Sequence, residues 1–263
     1  MKVKIYAFMI ACFAALAPFT AICKDYKVNG VSFTMVTVQG GTFTMGATAE
    51  QGDDVNDYEL PTHKVTLSSF EIGKTEVTQA LWKAVMGEVD CFYEGDNLPI
   101  YELSWEECQE FITKLNSLTG EKFRLPTEAE WEFAARGGNK SKGYKYAGSN
   151  DIDKVAWYSY NSELDIHPVA TKAPNELGLF DMSGNVWEWC NDWFEEDYYT
   201  PAPQTNPQGP DEGFNDCRVM RGGDCDYHSN PDFDAWLCRV SNREYHRPDD
   251  YRAGGYQGLR LAK

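Results

Sequence analysis

Gly178-Leu179-Phe180-Asp181-Met182-Ser183-Gly184-Asn185-Val186-Trp187-Glu188-Trp189 carries neither a helical nor an alternating pattern in its first half. It holds two carboxylates seven residues apart on a glycine-containing turn and runs straight into two tryptophans. Calcium takes six to eight oxygen ligands and accepts carboxylates mixed with main-chain carbonyls, so such a turn can wrap one ion. The plainer reading is that Asp181 and Glu188 accept hydrogen bonds from turn amides.

Upstream of this turn the regular structure is short and well punctuated. Met35–Val38, Gly40-Gly41 and Thr42–Met45 read as strand, turn, strand. Val65, Leu67, Phe70 and Ile72 continue an alternating pattern that slips at Ser68-Ser69. Three helices are signalled. Thr78 caps the first, which carries Leu81, Trp82, Val85 and Met86 and ends at Gly87. Ser104-Trp105-Glu106-Glu107 is a capping box, followed by Cys108, Phe111, Ile112 and Leu115 on one face and a stop at Gly120. Thr127-Glu128-Ala129-Glu130 is a second box, opening a helix that stops at Gly137-Gly138. Beyond Gly138 the chain is rich in Gly, Asn, Asp, Tyr and Trp, and 200–215 reads as a loop. These features predict one loop-rich α+β domain with little regular secondary structure.

Lys2 and Lys4 precede an apolar run from Ile5 to Phe19, and a polar segment begins at Lys24. This is the layout of a secretory signal peptide over residues 1–23, with the domain at 24–263. The run is too short for a transmembrane span, so the mature chain is expected to have none. Export to the periplasm, the envelope or the medium follows, with a lipid on Cys23 as the alternative to cleavage after it. The formal charge of −17 becomes −19 without the two lysines of the leader, and so acidic a chain repels phosphates. Nucleic acid is excluded as a partner. Six of the eight cysteines follow the leader, where an oxidising compartment permits disulfides.

Five further segments join the opening stretch. They are Gln39–Gly46, Glu76-Val77-Thr78, Arg124–Glu132, Arg218-Val219-Met220-Arg221-Gly222-Gly223 and the closing Gly258-Leu259-Arg260-Leu261. Together, in this order and over residues 33–262, they resemble the sulfatase-modifying factor, or formylglycine-generating enzyme, family. The resemblance implies a C-type-lectin-like fold. It also implies an oxidase in which a cysteine pair binds copper(I) and a sulfatase cysteine is converted to formylglycine. For calcium it implies the side chains of Asp181 and Glu188 and the carbonyls of Gly184 and Val186.

The chain departs from the family at the chemistry. Active members carry two cysteines five positions apart after Arg-Gly-Gly. Here Asp224 stands where the family has serine, Cys225 is the only cysteine nearby, and Cys238 resembles a structural position. Cys225 is the one candidate catalytic residue. Two thiolates are the minimum for linear copper(I) coordination by cysteine, so copper enters only with a second thiol. The four histidines are scattered, and none is assigned to a metal. The segment 224–256 is dense in short polar and aromatic residues, the composition of an adaptable binding surface. Asp224, Asp226, Tyr227, His228, Trp236, Tyr245, His246 and Tyr251 are its candidate contacts. The expectation is a non-catalytic module for a protein or glycan, with a sulfatase or an envelope complex as possible partners. The alternative is a copper oxidase.

Overall fold

The structure, a computed structural model, describes residues 22–250 and 255–263. The proposed leader up to residue 21, and Tyr251 of the candidate surface, lie outside the described residues. Among the described residues, three small sheets and four α-helices form the regular part of the domain. Strands β1 (Cys23–Val28), β2 (Val31–Val38), β3 (Gly41–Met45), β4 (His63–Leu67) and β5 (Phe70–Gly73) come first. Helices α1 (Gln79–Met86), α2 (Trp105–Thr119) and α3 (Glu128–Ala135) follow. The second half holds β6 (Trp187–Trp193), β7 (Gln204–Thr205), β8 (Arg218–Arg221), α4 (Pro231–Leu237), β9 (Glu244–His246) and β10 (Gln257–Gly258).

The strands order as β1-β2-β5, β3-β4-β7 and β10-β6-β8-β9. The slip at Ser68-Ser69 is where the chain leaves one sheet for another: β4 pairs with β3, and β5 pairs with β2. The Gly40-Gly41 turn makes the matching crossing between β2 and β3. Gly40 lies so close to the Ser68-Ser69 crossing that a Cβ would fall 2.5 Å from the Leu67 carbonyl oxygen. The amide of Gly40 and the side chain of Gln39 both donate to the Ser69 hydroxyl at 3.0 Å.

The three expected helices form for the expected reasons. The Thr78 hydroxyl accepts from Leu81 N, and both capping boxes, Ser104/Glu107 and Thr127/Glu130, are complete. Gly87 and Gly120 end α1 and α2 in the left-handed conformation. All eight residues of α3 are buried, its glutamates included. Helix α4 is additional to the sequence expectation. Asn230 caps it by accepting from Phe233 N, and Pro231 opens it.

The core is held by aromatics and by buried ion pairs. Trp131, Trp187 and Trp189 are fully buried. So are four arginines, each facing glutamate. Arg239 meets Glu59 at 2.7 Å, Arg243 meets Glu128 at 2.7 Å, Arg260 meets Glu188 at 2.6 Å, and Arg221 is bound to Glu132. Breaking one such pair strands a charge away from water and costs about 3–5 kcal/mol.

Candidate functional site

The opening stretch folds as a turn of left-handed residues: Asp181, Gly184 and Asn185 have φ of 56°, 75° and 69°. Gly184 is required there, because a Cβ would sit 2.1 Å from the Trp157 carbonyl oxygen. The turn delivers Asp181 and Glu188 to one buried cluster with Glu76 and Arg260. Glu188 is grasped by the Arg260 guanidinium and accepts from Trp131 Nε1 at 2.6 Å. Asp181 accepts from Ala170 N at 2.7 Å. Glu76 accepts from Asn185 Nδ2 at 2.8 Å and Val186 N at 3.2 Å.

Three carboxylates thus face one guanidinium. Burial pushes Glu76 well above the usual carboxylate range, with Asp181 and Glu188 adding to it. Burial raises Asp181 to about 6 against the Ala170 amide and Arg260. With Glu76 pushed toward its neutral form and Glu188 paired with Arg260, Asp181 is the carboxylate left over, and the donors are all oxygen, the kind calcium takes. Among the described residues no group of three or more Asp, Glu, His or Cys is gathered as a metal cluster, so an ion here would rely on main-chain carbonyls beside two carboxylates.

Cys225 is fully buried in a small cluster with Tyr101, Ile166 and Val186. Burial pushes its thiol well up, and Asp224, Glu76 and Asp226 act in the same direction. Cys238 belongs to a different cluster, with Tyr146, Val155 and Tyr158. Cys217 belongs to the main core. Neither joins Cys225. Cys91, which sequence reasoning passed over, packs on the fringe of the Cys225 cluster together with Tyr93 and Tyr256. Cys108, Cys190, Cys217, Cys225 and Cys238 are buried free thiols. With Cys225 as sole thiol the donor set does not fit copper(I).

Asp224, in the serine position, is buried and locked. Its Oδ1 lies 2.6 Å from His228 Nε2 and its Oδ2 accepts from Tyr256 N at 2.8 Å. Burial works against charge on His228, yet the hydrogen bond to Asp224 and the charges of Asp224, Asp234 and Asp226 hold its pKa up to about 9. Asp234 Oδ1 accepts from His228 N, and its other oxygen accepts from the Ser159 hydroxyl. Phe233 and Trp236 stack with centroids 5.6 Å apart, and Trp236 Nε1 donates to the Asp54 carbonyl. Phe233 and Tyr227 are exposed. Asp224, Asp226, Tyr227, His228 and Trp236 therefore lie along one continuous segment ending in α4. Tyr245 is spent on packing, stacked on Phe194 at 4.0 Å. His246 is half-buried in β9 opposite Arg218, which is itself held between Trp105 and Trp193.

This architecture, with few strands, capped helices and long ordered loops around an Arg–Glu framework, defines a formylglycine-generating-enzyme fold. The sulfatase-modifying factor enzyme 1-like domain matches residues 24–263, and the chain belongs to that family. The solved structure of Treponema denticola variable protein 1 superposes with a TM-score of 0.79 at 31% identity, covering 92% of this chain and 99% of that one. The chaperone protein LppX of Paenibacillus barcinonensis is 30% identical over 95% of this chain and 96% of its own length. The formylglycine-generating enzyme of Streptomyces coelicolor is 30% identical over 86% of this chain and 88% of its own.

Proposed function

We propose that this chain is an exported, non-catalytic member of the family that binds a partner, a protein or a glycan, through residues 224–256. The observation that carries this is the state of Cys225: a buried thiol among carboxylates, beside an aspartate locked to a histidine where the family has serine. A thiolate that reacts or binds copper needs nearby positive charge or a metal to lower its pKa. The exposed Tyr227 and Phe233 offer contact area instead. The likeness to a protein named as a chaperone, LppX, supports a partner-binding role. Calcium, held by the side chains of Asp181 and Glu188 and the carbonyls of Gly184 and Val186, is the structural ion in this reading. A sulfatase or an envelope complex is the kind of partner to look for. Among the described residues no helix is long and apolar enough to cross a membrane.

One observation favours a second reading, a copper-dependent oxidase. Cys91 shares a cluster with Cys225, which would bring a second thiol from another loop. The likeness to formylglycine-generating enzyme points the same way. Copper(I) competition against a colorimetric chelator separates the two, run on the reduced protein and on Cys225→Ser, Cys91→Ser and Cys238→Ser. The binding-module reading expects no binding and no oxidation of a cysteine-containing sulfatase peptide. One-to-one binding lost in both Cys225→Ser and Cys91→Ser, and kept in Cys238→Ser, would overturn it.

A further inference from the structure

Strand β3 is the outer strand of its sheet, and its neighbour fixes the direction of its peptide groups. The Thr66 carbonyl of β4 accepts from Asn206 N at 2.9 Å, just past the end of β7, so the peptide groups of Thr66 face β7. Direction alternates along a strand, so those of Val65 and Leu67 face β3. Val65 stands opposite Phe43, and Leu67 opposite Gly41. The N–H and C=O groups of Thr42 and Thr44 therefore point out of the sheet.

Protein side chains occupy this outer edge at both ends. At the next outward position after Thr44, Gly46 N donates to Glu132 Oε1 at 2.9 Å and the Gly46 carbonyl accepts from Arg136 Nη2 at 2.7 Å. Before Thr42, Asn139 Nδ2 donates to the Gly40 carbonyl at 3.0 Å. Between these plugs, Thr42 and Thr44 make no outward backbone hydrogen bond among the described residues. A cleft of about 430 Å³ lies along the gap, lined by Thr42, Phe43 and Thr44 and, from outside the sheet, by Phe133, Arg136 and Ser141. A row of unpaired peptide groups is a template for another strand.

The two faces of this edge differ in chemistry. Thr42 and Thr44 lie on one face, where Thr42 Oγ1 meets Thr66 Oγ1 at 2.8 Å and Lys64 Nζ donates to Thr44 Oγ1 at 2.8 Å. Lys64 thus reaches over β3 toward the cleft, and it is paired with no carboxylate among the described residues. Phe43 points to the other face, half-buried, and packs on Phe133 with centroids 5.1 Å apart. A chain laid along β3 alternates in step: its residues opposite Thr42 and Thr44 fall on the lysine face, and the one between them on the phenylalanine face. We infer that the β3 edge takes up an extended peptide segment with an apolar residue flanked by acidic ones, which joins the sheet as an added strand. Main-chain bonds to Thr42 and Thr44 hold the segment, Lys64 selects the acid opposite Thr44, and Phe43 selects the apolar residue. The site shares no residue with the 224–256 face and needs no chemistry at Cys225.

The test is an acetylated, amidated Ser-Glu-Val-Glu-Ser peptide titrated into the full chain, read by amide NMR shifts and hydrogen exchange. Its two glutamates serve either strand direction. Without peptide, the Thr42 and Thr44 amides should exchange faster than that of Phe43, which lies in the ladder. With peptide, both should shift and gain protection. N-methylation of both glutamates, whose N–H groups face β3, should abolish binding, and N-methylation of the valine, whose N–H faces away, should leave it. The Ser-Lys-Val-Lys-Ser peptide should bind the parent about fivefold more weakly, and so should the glutamate peptide with Lys64→Gln. Phe233→Ala, outside the cleft, should bind the peptide as the parent does. No peptide binding, equal binding of the lysine peptide, or loss of binding on methylating the valine nitrogen each overturns the inference. Self-association that protects Thr42 and Thr44 without peptide also overturns it, since the edge would then belong to a second copy of the chain.

Discussion

Along α3 each of the three glutamates has a guanidinium: Glu128 faces Arg243, Glu132 faces Arg221 and Glu130 faces Arg124. At the C-terminal face one imidazole, His228, answers to Asp224, Asp226, Asp234 and Glu244. The first arrangement pairs each helix carboxylate with a guanidinium. The second leaves acids in excess and aromatic side chains uncovered. Four fully buried arginines cement the frame, while the described lysines stay exposed or half-buried.

Four measurements can break or sharpen this contrast. The largest effect is expected at Arg239→Met, which strands Glu59 without its partner. Denaturant unfolding should show a loss of about 3–5 kcal/mol, with much of it recovered when Glu59→Leu is added. Recovery absent in the double variant would mean that shape, rather than charge, sets the cost. Next comes calcium. Millimolar calcium should raise the melting temperature, by an amount corresponding to about 2–3 kcal/mol at a hundredfold excess over Kd, and Asp181→Ala should abolish the rise. An equal rise in the variant would move the ion elsewhere.

The third effect is smaller and depends on pH. His228 is held above its ordinary value, so protonation favours the folded state. Its contribution is complete below pH 6.5 and is lost as pH rises through about 9. Because the ring is partly exposed, screening leaves about 1 kcal/mol. The stability difference between parent and His228→Gln should shrink over that window; a constant difference would refute the pairing with Asp224. The smallest effect belongs to the face itself. Phe233→Ser should shift stability by about 0.5 kcal/mol or less, as surface substitutions do, while partner capture falls. A large loss of stability would show that this aromatic is part of the frame.

What was legible in the sequence was local. The capping boxes at Ser104 and Thr127, the apolar face of α2 and the stops at Gly87 and Gly120 each depend on neighbours within one or two turns. Even the slip at Ser68-Ser69 showed where a strand changes sheets, although not which sheet it joins. Helix α4 escaped because it is short and carries Asp232 and Asp234 rather than an apolar stripe. The Arg–Glu pairs were illegible for another reason: a glutamate on a capped helix reads as solvated until an arginine far along the chain is brought against it. Composition put Tyr245 on the binding surface; in the fold it stacks on Phe194 and stays half-buried. Tyr101 and Tyr256, which meet edge to face, come from distant loops that share no pattern. In the candidate site, the residues near Arg-Gly-Gly were found from sequence, and those across from them were not.

The sheet of β1, β2 and β5 has one more consequence. Glu71 and Lys263 exchange backbone hydrogen bonds, Gly73 N donates to Leu261 O at 2.7 Å, and Val77 N donates to Leu259 O at 2.9 Å. Arg260, between them, is the clasp on Glu188 and on the Gly73 carbonyl. The edge of an early sheet is therefore finished by residues made much later. At typical synthesis rates of 5–20 residues per second, residues 71–77 wait roughly 10–40 s for their partners. Until 259–263 have emerged, that edge stays open and Glu188 lacks its counter-charge. Assembly of this domain waits for residues 259–263, so the early sheet and the Glu188 ion pair close together and late.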